Sequence, residues 1–368
     1  MNPRIAVNLL WCQPGRVGGS EQYLARQLAG LALTDTTRFD LDIYAPRGYA
    51  AAHPELSRWR IAETASNGAN RAARIVREST WLARRTRGAA VTHHGGGTVP
   101  FRTNGRTLLT VHDVQYLTYP SYFSRARLAY LTYMMPRSLR RADAVAVPSA
   151  YVRETLVDRF GLDPATVHVV VHGIESVDVS SIDVPAARKK FGVADVPYFI
   201  YPAITHPHKN HSFLVDLLAG PWRNSGVHLL FIGGEGRGHA ALTSRVSSSG
   251  VADRIHFTGH VGPADRDALV AGADAVVFPS EYEGFGAPVA EAMALGVPVV
   301  ASDRASLPGV VGEGGITLPL DRQAWALVPD RIARERVTLV AAGRVRAEAF
   351  TLAASGRDLC GVYEGLLR

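Results

Sequence analysis

The chain of 368 residues is two to three times the size of an ordinary domain, so two domains are expected. Hydrophobic residues make up 47% and charged residues 20%, which excludes a disordered or collagen-like chain. A mean hydropathy of +0.02, with no long apolar run, excludes a helical membrane-spanning protein. The net charge of +7 is unevenly placed. Residues 1–172 carry 22 arginines, no lysine and 12 acidic residues, a balance of +10, and the remainder comes to −3, so different partners are expected for the two halves. Two cysteines, Cys12 and Cys360, are too few for a disulfide framework and fit a reducing cytosol.

In chain order, short β-branched runs alternate with amphipathic stretches, the pattern of parallel sheets covered by helices. The opening apolar stretch, 5–11, is too short for a signal-peptide core and reads as a first strand. Strands are predicted over 5–10, 41–44, 89–93, 107–112, 144–147 and 167–171, with helices over 20–31, 71–85, 125–140 and 151–160. The second half gives strands over 198–201, 227–232, 255–258, 275–278 and 297–301. Helices are predicted there over 210–218, 240–248, 265–271 and 289–295. An echo between ADAVAVPS (142–149) and ADAVVFPS (273–280) supports two related halves. The expected organisation is two doubly wound, Rossmann-like domains facing each other across a cleft. Residues 1–172 and 196–345 form the domains, 173–195 the linker, and 346–368 a last helix that packs back on the first domain.

The stretch 281–302, EYEGFGAPVAEAMALGVPVVAS, is the most informative. Gly284 and Gly286 permit close backbone approach after a strand, and Pro288 fits the first turn of a helix. Exposed N–H groups and the positive end of the helix dipole suit a phosphate. Glu283 and Glu291, with seven residues between them, are better placed to accept sugar hydroxyls than to face a phosphate. Lys209, in HKNH (208–211), stands at a strand-to-helix junction where a cation can neutralise a diphosphate. Gly18 and Gly19 precede a helix, Gly233, Gly234 and Gly236 follow a strand, and His112 in VHD ends another. His93, His94 and Gly95–Gly97 suggest a cleft wall. Asp40 and Asp42 form an Asp-x-Asp pair, but at a strand's start, where a metal–nucleotide site is not expected. No metal site is expected, because no carboxylate or cysteine completes ligand spacing around the histidines.

EGFGAPVAE resembles the signature of the retaining glycosyltransferases of family four, which have the GT-B fold. The blocks 233–261 and 142–161 are similar to further blocks of that family, so the likeness spans most of the chain. The resemblance implies a retaining, metal-independent transferase with no cofactor, taking a sugar from a nucleotide diphosphate donor. Glu291 would hold the donor ribose and Glu283 the transferred sugar. Gly284, Phe285, Gly286 and Ala287 would lie against sugar and diphosphate, with Gly234 near the nucleotide. Lys209 would bind diphosphate, Gly18 and Gly19 would border the donor phosphates, and His112 would contact the donor sugar. Many members carry an arginine six residues before that lysine; this chain has Ala203, leaving Thr205, His206 or another arginine to substitute.

The donor stays open between GDP-mannose, a dTDP- or UDP-linked deoxyhexose and a UDP-hexose, with a faint lean to mannose or rhamnose, and the acceptor is expected to be a glycan or lipid-linked glycan. Arginines 71, 74, 77, 84, 85 and 87, with 125, 127, 137, 140 and 141, suggest an anionic membrane surface as a further partner and a cytoplasmic, membrane-peripheral location. No nucleic acid is expected, because no recognition motif accompanies the arginines. Two rivals stay open: a glycoside hydrolase using Glu283 and Glu291 as a carboxylate pair, and a catalytically silent sugar-nucleotide-binding protein.

Overall fold

A computed structural model describes residues 2–13 and 18–368. The chain forms two compact units, one of Met1–Gly173 with Phe350–Arg368 and one of Ile174–Ala349. The first unit holds seven strands: β1 (Arg4–Asn8), β2 (Asp40–Ala45), β3 (Arg60–Glu63), β4 (Val91–His94), β5 (Arg106–Thr110), β6 (Ala144–Val147) and β7 (Val167–Val169). All are parallel, in the order β3-β2-β1-β4-β5-β6-β7. The second unit holds β8 (Tyr198–Pro202), β9 (His228–Ile232), β10 (Ile255–Gly259), β11 (Ala275–Phe278), β12 (Val299–Ser302) and β13 (Ile316–Leu318). They too are all parallel, ordered β10-β9-β8-β11-β12-β13. Strands such as β6, β11 and β12 are buried at every residue, which is why they read as nearly continuous apolar runs rather than alternating ones.

Two strands escape the sequence pattern. β3 carries Arg60 and Glu63 on a polar sheet edge, and β13 has only three residues. The long helix Val328–Ala347 was also not anticipated; its exposed face mixes arginines with exposed Val337 and Val345, so no clean apolar stripe marks it. The expected helix over 71–85 is interrupted by a π-helical turn, Glu78–Leu82, beginning at the buried Glu78. The repeat echo does not mark equivalent positions. β11 adjoins β8 at the centre of its sheet, whereas β6 lies next to the edge strand β7. The two octapeptides also act differently: Ser149 caps the helix Ala150–Phe160 through the Val152 N–H, whereas Ser280 is buried and bonded to Tyr201.

The segment read as a linker begins the second unit and contains the helix Val184–Lys190. Asp183 caps it through the Ala186 N–H, and Arg188 donates to the carbonyls of Val193, Val196 and Gly272. The polar stretch before it thus ends at the cap of a helix held within the second unit.

The C-terminal helix, Leu352–Leu367, starts at the Thr351 cap and belongs to the first unit. Ser355 donates to Val171 O at 2.6 Å, Asp358 accepts from Val171 N at 3.2 Å, and Tyr363 meets His93 at 2.7 Å. Its crossing over the helix Gly19–Leu31 requires two glycines. A Cβ on Gly30 would collide with the Leu352 carbonyl, and one on Gly356 would lie 2.5 Å from Leu31 N. Gly356→Ala should therefore destabilise the protein by roughly 1–3 kcal/mol through overpacking. Gly361→Ala, on the same helix but with open space around it, should stabilise by about 0.5–1 kcal/mol. Urea denaturation midpoints check the opposite signs.

Candidate functional site

In the second unit the strand order reverses between β8 and β11, and the loops leaving their carboxyl ends lie side by side, the position where such sheets bind ligands. After β8, a 3₁₀ turn (Pro207–Lys209) carries the lysine, Asn210 takes a left-handed conformation (φ 56°), and the helix His211–Ala219 follows. Lys209 Nζ reaches Glu283 Oε1 in the loop after β11 at 2.6 Å, with the two side chains 18% and 13% exposed. The two charged residues singled out from distant parts of the sequence thus form one ion pair.

Buried hydroxyls brace both loops. Tyr201 donates to the Lys209 carbonyl at 2.7 Å and meets Ser280 at 2.8 Å, and Glu281 N–H donates to the His208 carbonyl at 2.8 Å. Ser302 donates to the Ser280 carbonyl at 2.5 Å, and the Ser306 hydroxyl lies 3.0 and 2.9 Å from the Glu283 and Phe285 carbonyls. Sequence reading missed these residues; Ser306 stands 23 positions from Glu283, with no local motif to betray the contact. Gly286 is left-handed (φ 95°), a conformation that favours glycine, and a Cβ there would also press on the Leu307 side chain at 2.8 Å. No side chain caps the following helix, Ala287–Ala294, in which Pro288 occupies the first turn. Ala287 and Glu291 are half-buried on it, Gly284 is half-buried, and Phe285 is buried.

Gly234 lies in a loop stitched to the same place by Thr205. The Thr205 hydroxyl accepts from Gly236 N at 2.7 Å, its carbonyl from Gly238 N at 2.8 Å, and its own N–H donates to the Gly234 carbonyl at 3.3 Å. Gly233 and Gly236 permit this, since a Cβ on either would fall within 2.7 Å of the backbone at Ala203 or Thr205. Thr205 is thus engaged in holding the loop.

In the first unit, His112 Nε2 donates to the Gly95 carbonyl at 2.8 Å, which leaves Nδ1 as the acceptor, and its ring packs 5.5 Å from those of Trp11 and Tyr23. Burial holds its pKa below the usual imidazole range. Gly18 and Gly19 are exposed at the start of the helix Gly19–Leu31, and no described residue lies within 4 Å of a Cβ built on either.

His93 and His94 do not form a wall. They are buried side chains of the central strand β4, His93 between Tyr363 and Thr110 and His94 between Asn8 and Thr103. Asp42 is occupied by Arg60 at 3.0 Å and Arg4 at 3.5 Å.

These features define a doubly wound α/β protein with an ion-paired, glycine-opened loop cluster at a strand-order reversal, as in GT-B transferases. Residues 197–352 match the family described as "Glycosyl transferases group 1", and residues 17–177 match "Glycosyltransferase Family 4". The chain belongs to this glycosyltransferase family. The O-antigen chain mannosyltransferase B of Escherichia coli is 29% identical over 57% of this chain and 56% of its own length. The O-antigen chain mannosyltransferase RfbU of Salmonella typhimurium is 28% identical over 66% of each chain. The chain thus aligns with about half to two thirds of the length of these relatives. In fold, it matches the Anabaena protein HepE, crystallised with UDP and glucose, with a TM-score of 0.76, 19% identity, and coverage of 99% of this chain and 100% of that one. The fold is GT-B. No helix among the described residues is long and apolar enough to cross a membrane.

His93 and His94 carry a consequence for stability. Burial lowers both to about 3, against 6.5 for a free imidazole. Above pH 6.5 both are neutral, folded or unfolded. Between 6.5 and 3 only the unfolded chain binds their protons, so stability falls with pH. Each should remove about 1.4 kcal/mol per pH unit in that window. Denaturation midpoints measured from pH 7.5 to 5 check the decline, and imidazole NMR signals of both residues should not titrate there.

Proposed function

We propose that the protein is a retaining, metal-independent glycosyltransferase. It moves a sugar from a nucleotide diphosphate donor to a glycan or lipid-linked acceptor in the assembly of cell-surface polysaccharide or glycolipid. The Lys209–Glu283 ion pair at the β8/β11 reversal carries this reading. In the free protein the two charges neutralise each other. A donor exchanges that one pair for two contacts, its diphosphate taking the ammonium and its sugar hydroxyls the carboxylate. Glu291 accepts from the ribose, and the backbone of 284–287 meets sugar and diphosphate. The acceptor oxygen then bonds to the anomeric carbon as the bond to the diphosphate breaks. The acceptor's proton passes to the departing phosphate oxygen, and Lys209 stabilises the charge that develops there. His112 accepts a hydroxyl of the donor sugar at Nδ1. Gly18 and Gly19 border the donor phosphates, Gly234 borders the nucleotide, and no cofactor or metal enters the reaction. The mannosyltransferase names of two relatives favour mannose as the transferred sugar.

Thermal-shift screening against GDP, UDP, dTDP and their sugars should identify one stabilising donor. Lys209→Ala should weaken it about ten- to a hundredfold, the effect of losing a charge-assisted contact of roughly 1.5–3 kcal/mol. Glu291→Ala should raise the donor constant, and Glu283→Ala should chiefly lower turnover. Transfer should persist in EDTA; strict dependence on added Mn or Mg would overturn the metal-independent step.

We assign the basic surface of the first unit to peripheral contact with anionic lipid. On the helix Arg125–Arg141, Tyr133 is 65% exposed, and Arg137 lies over the half-exposed Phe101 ring at 5.6 Å. Exposed aromatics among arginines suit a headgroup layer, with each basic residue contributing about 1 kcal/mol. Sedimentation should show binding to phosphatidylglycerol vesicles that fades with salt and is absent with phosphatidylcholine. Equal recovery with both, or none with either, would favour a soluble acceptor.

A further inference from the structure

The helix Val328–Ala347 of the second unit has two unlike faces. Its inner face is fixed. Ile332, Leu339 and Gly343 are buried, and a Cβ on Gly343 would lie 3.2 Å from the Gly314 carbonyl oxygen. Arg336 donates to the Asp274 carbonyl at 2.7 Å, and Arg346 donates to the carbonyls of Val310 and Gly309 at 3.0 and 2.6 Å. The outer face is therefore presented by a helix that is held in place. On it Val337 is 85% exposed and Val345 69%. A valine there loses side-chain freedom to the helix and buries nothing in return.

Exposed residues recur along this face as Arg334, Thr338, Ala341, Val345 and Glu348, at spacings of four, three, four and three, with Val337 beside them. That alternation is the period by which one helix meets another along its length. The seam is also complementary to itself. With two helices antiparallel and a twofold axis through Ala341, Val337 meets Val345 of the second copy, each four residues from the axis. Seven residues from the axis, Arg334 meets Glu348 of the second copy. Thr338 faces Arg344, so no like charges are opposed, and the small Ala341 lies where the backbones approach most closely. Parallel pairing in register would instead set Arg334 against Arg334 and Glu348 against Glu348. Both members of the charge pair are available. Arg334 reaches Glu335 only at 3.9 Å, a carboxylate that Arg331 holds at 2.9 Å, and Glu348 enters no ion pair among the described residues.

We propose that this face is a self-association surface, on which a second copy of the chain docks antiparallel about Ala341 to form a twofold-symmetric dimer. Every contact then occurs twice, so the dimer covers four exposed valines and gains two ion pairs. The valines supply the attraction, and the ion pairs fix orientation and register. A single helix seam offers less than the roughly 800 Å² per partner of a standard interface, so association is reversible and micromolar rather than obligate. The inference is independent of the transfer reaction and stands or falls without it.

Sedimentation equilibrium of the intact protein, from about 2 to about 200 μM, tests the assignment. The 39.6 kDa chain should approach twice that mass at the top of the range. Val337→Lys should weaken association at least about tenfold, by burying a charge in place of a methyl pair. Arg334→Glu should weaken it at least about tenfold as well, because it sets two carboxylates together on each side of the axis. Arg334→Glu combined with Glu348→Arg in one chain should restore the parent affinity, which a merely general loss of charge or solubility would not do. All three positions are exposed, so the variants should unfold at the parent temperature. A monomer at every concentration overturns the inference. A dimer indifferent to Val337→Lys and Arg334→Glu, or a double reversal that fails to recover association, overturns it too.

Discussion

Parallel strands leave their connecting loops on one edge of a sheet, and only where the strand order reverses do two neighbouring loops diverge and leave room for a ligand. In the second unit that reversal falls between β8 and β11, strands separated by more than seventy residues of chain. Everything distinctive at the site follows from it. Lys209 and Glu283 meet because their loops leave adjacent strands, and they meet at 2.6 Å with little exposure because Tyr201, Ser280, Ser302 and Ser306 hold both loops from beneath. Removing one partner from a pair so desolvated typically costs roughly 3–5 kcal/mol. An anion that captures the ammonium must therefore supply its own compensation, and sugar hydroxyls offered to the released carboxylate are one source of it.

Histidines stand in two kinds of environment in this protein. His93 and His94 have both ring nitrogens satisfied by side chains inside the first unit, so they act as polar core residues and stay neutral. His206 and His208 stand on a loop beside Lys209, whose charge adds to burial in holding both below the usual imidazole range.

The C-terminal helix illustrates a different constraint. It follows the second unit in sequence yet completes the first, covering β4 and the helix Gly19–Leu31. Close approach through Gly30 and Gly356 lets Ser355 and Asp358 reach the backbone at Val171. Residues nearly two hundred positions apart thereby share hydrogen bonds, and the first unit includes the last residues of the chain.

Sequence alone determined the alternation of buried strands and helices, because most strands buried on both faces are nearly continuously apolar and can be seen without knowing their neighbours. It also determined the loop 281–291, where Gly286 and Pro288 meet local backbone demands of a turn and a helix start. Short or polar elements such as β3, β13 and the helix Val184–Lys190 were not legible as such, since their stability comes from partners rather than from their own pattern. The echo between 142–149 and 273–280 fits two related halves without marking equivalent strands, since an octapeptide specifies a strand and a turn, but not the place of that strand in a sheet. Likewise His93, His94 and His112 look alike as residues at strand ends. Only tertiary packing decided that the first two are enclosed and the third keeps Nδ1 as an acceptor. The pairing of Lys209 with Glu283 was also a tertiary decision, because it depends on which strands lie side by side, and strand order is set by the packing of the whole sheet.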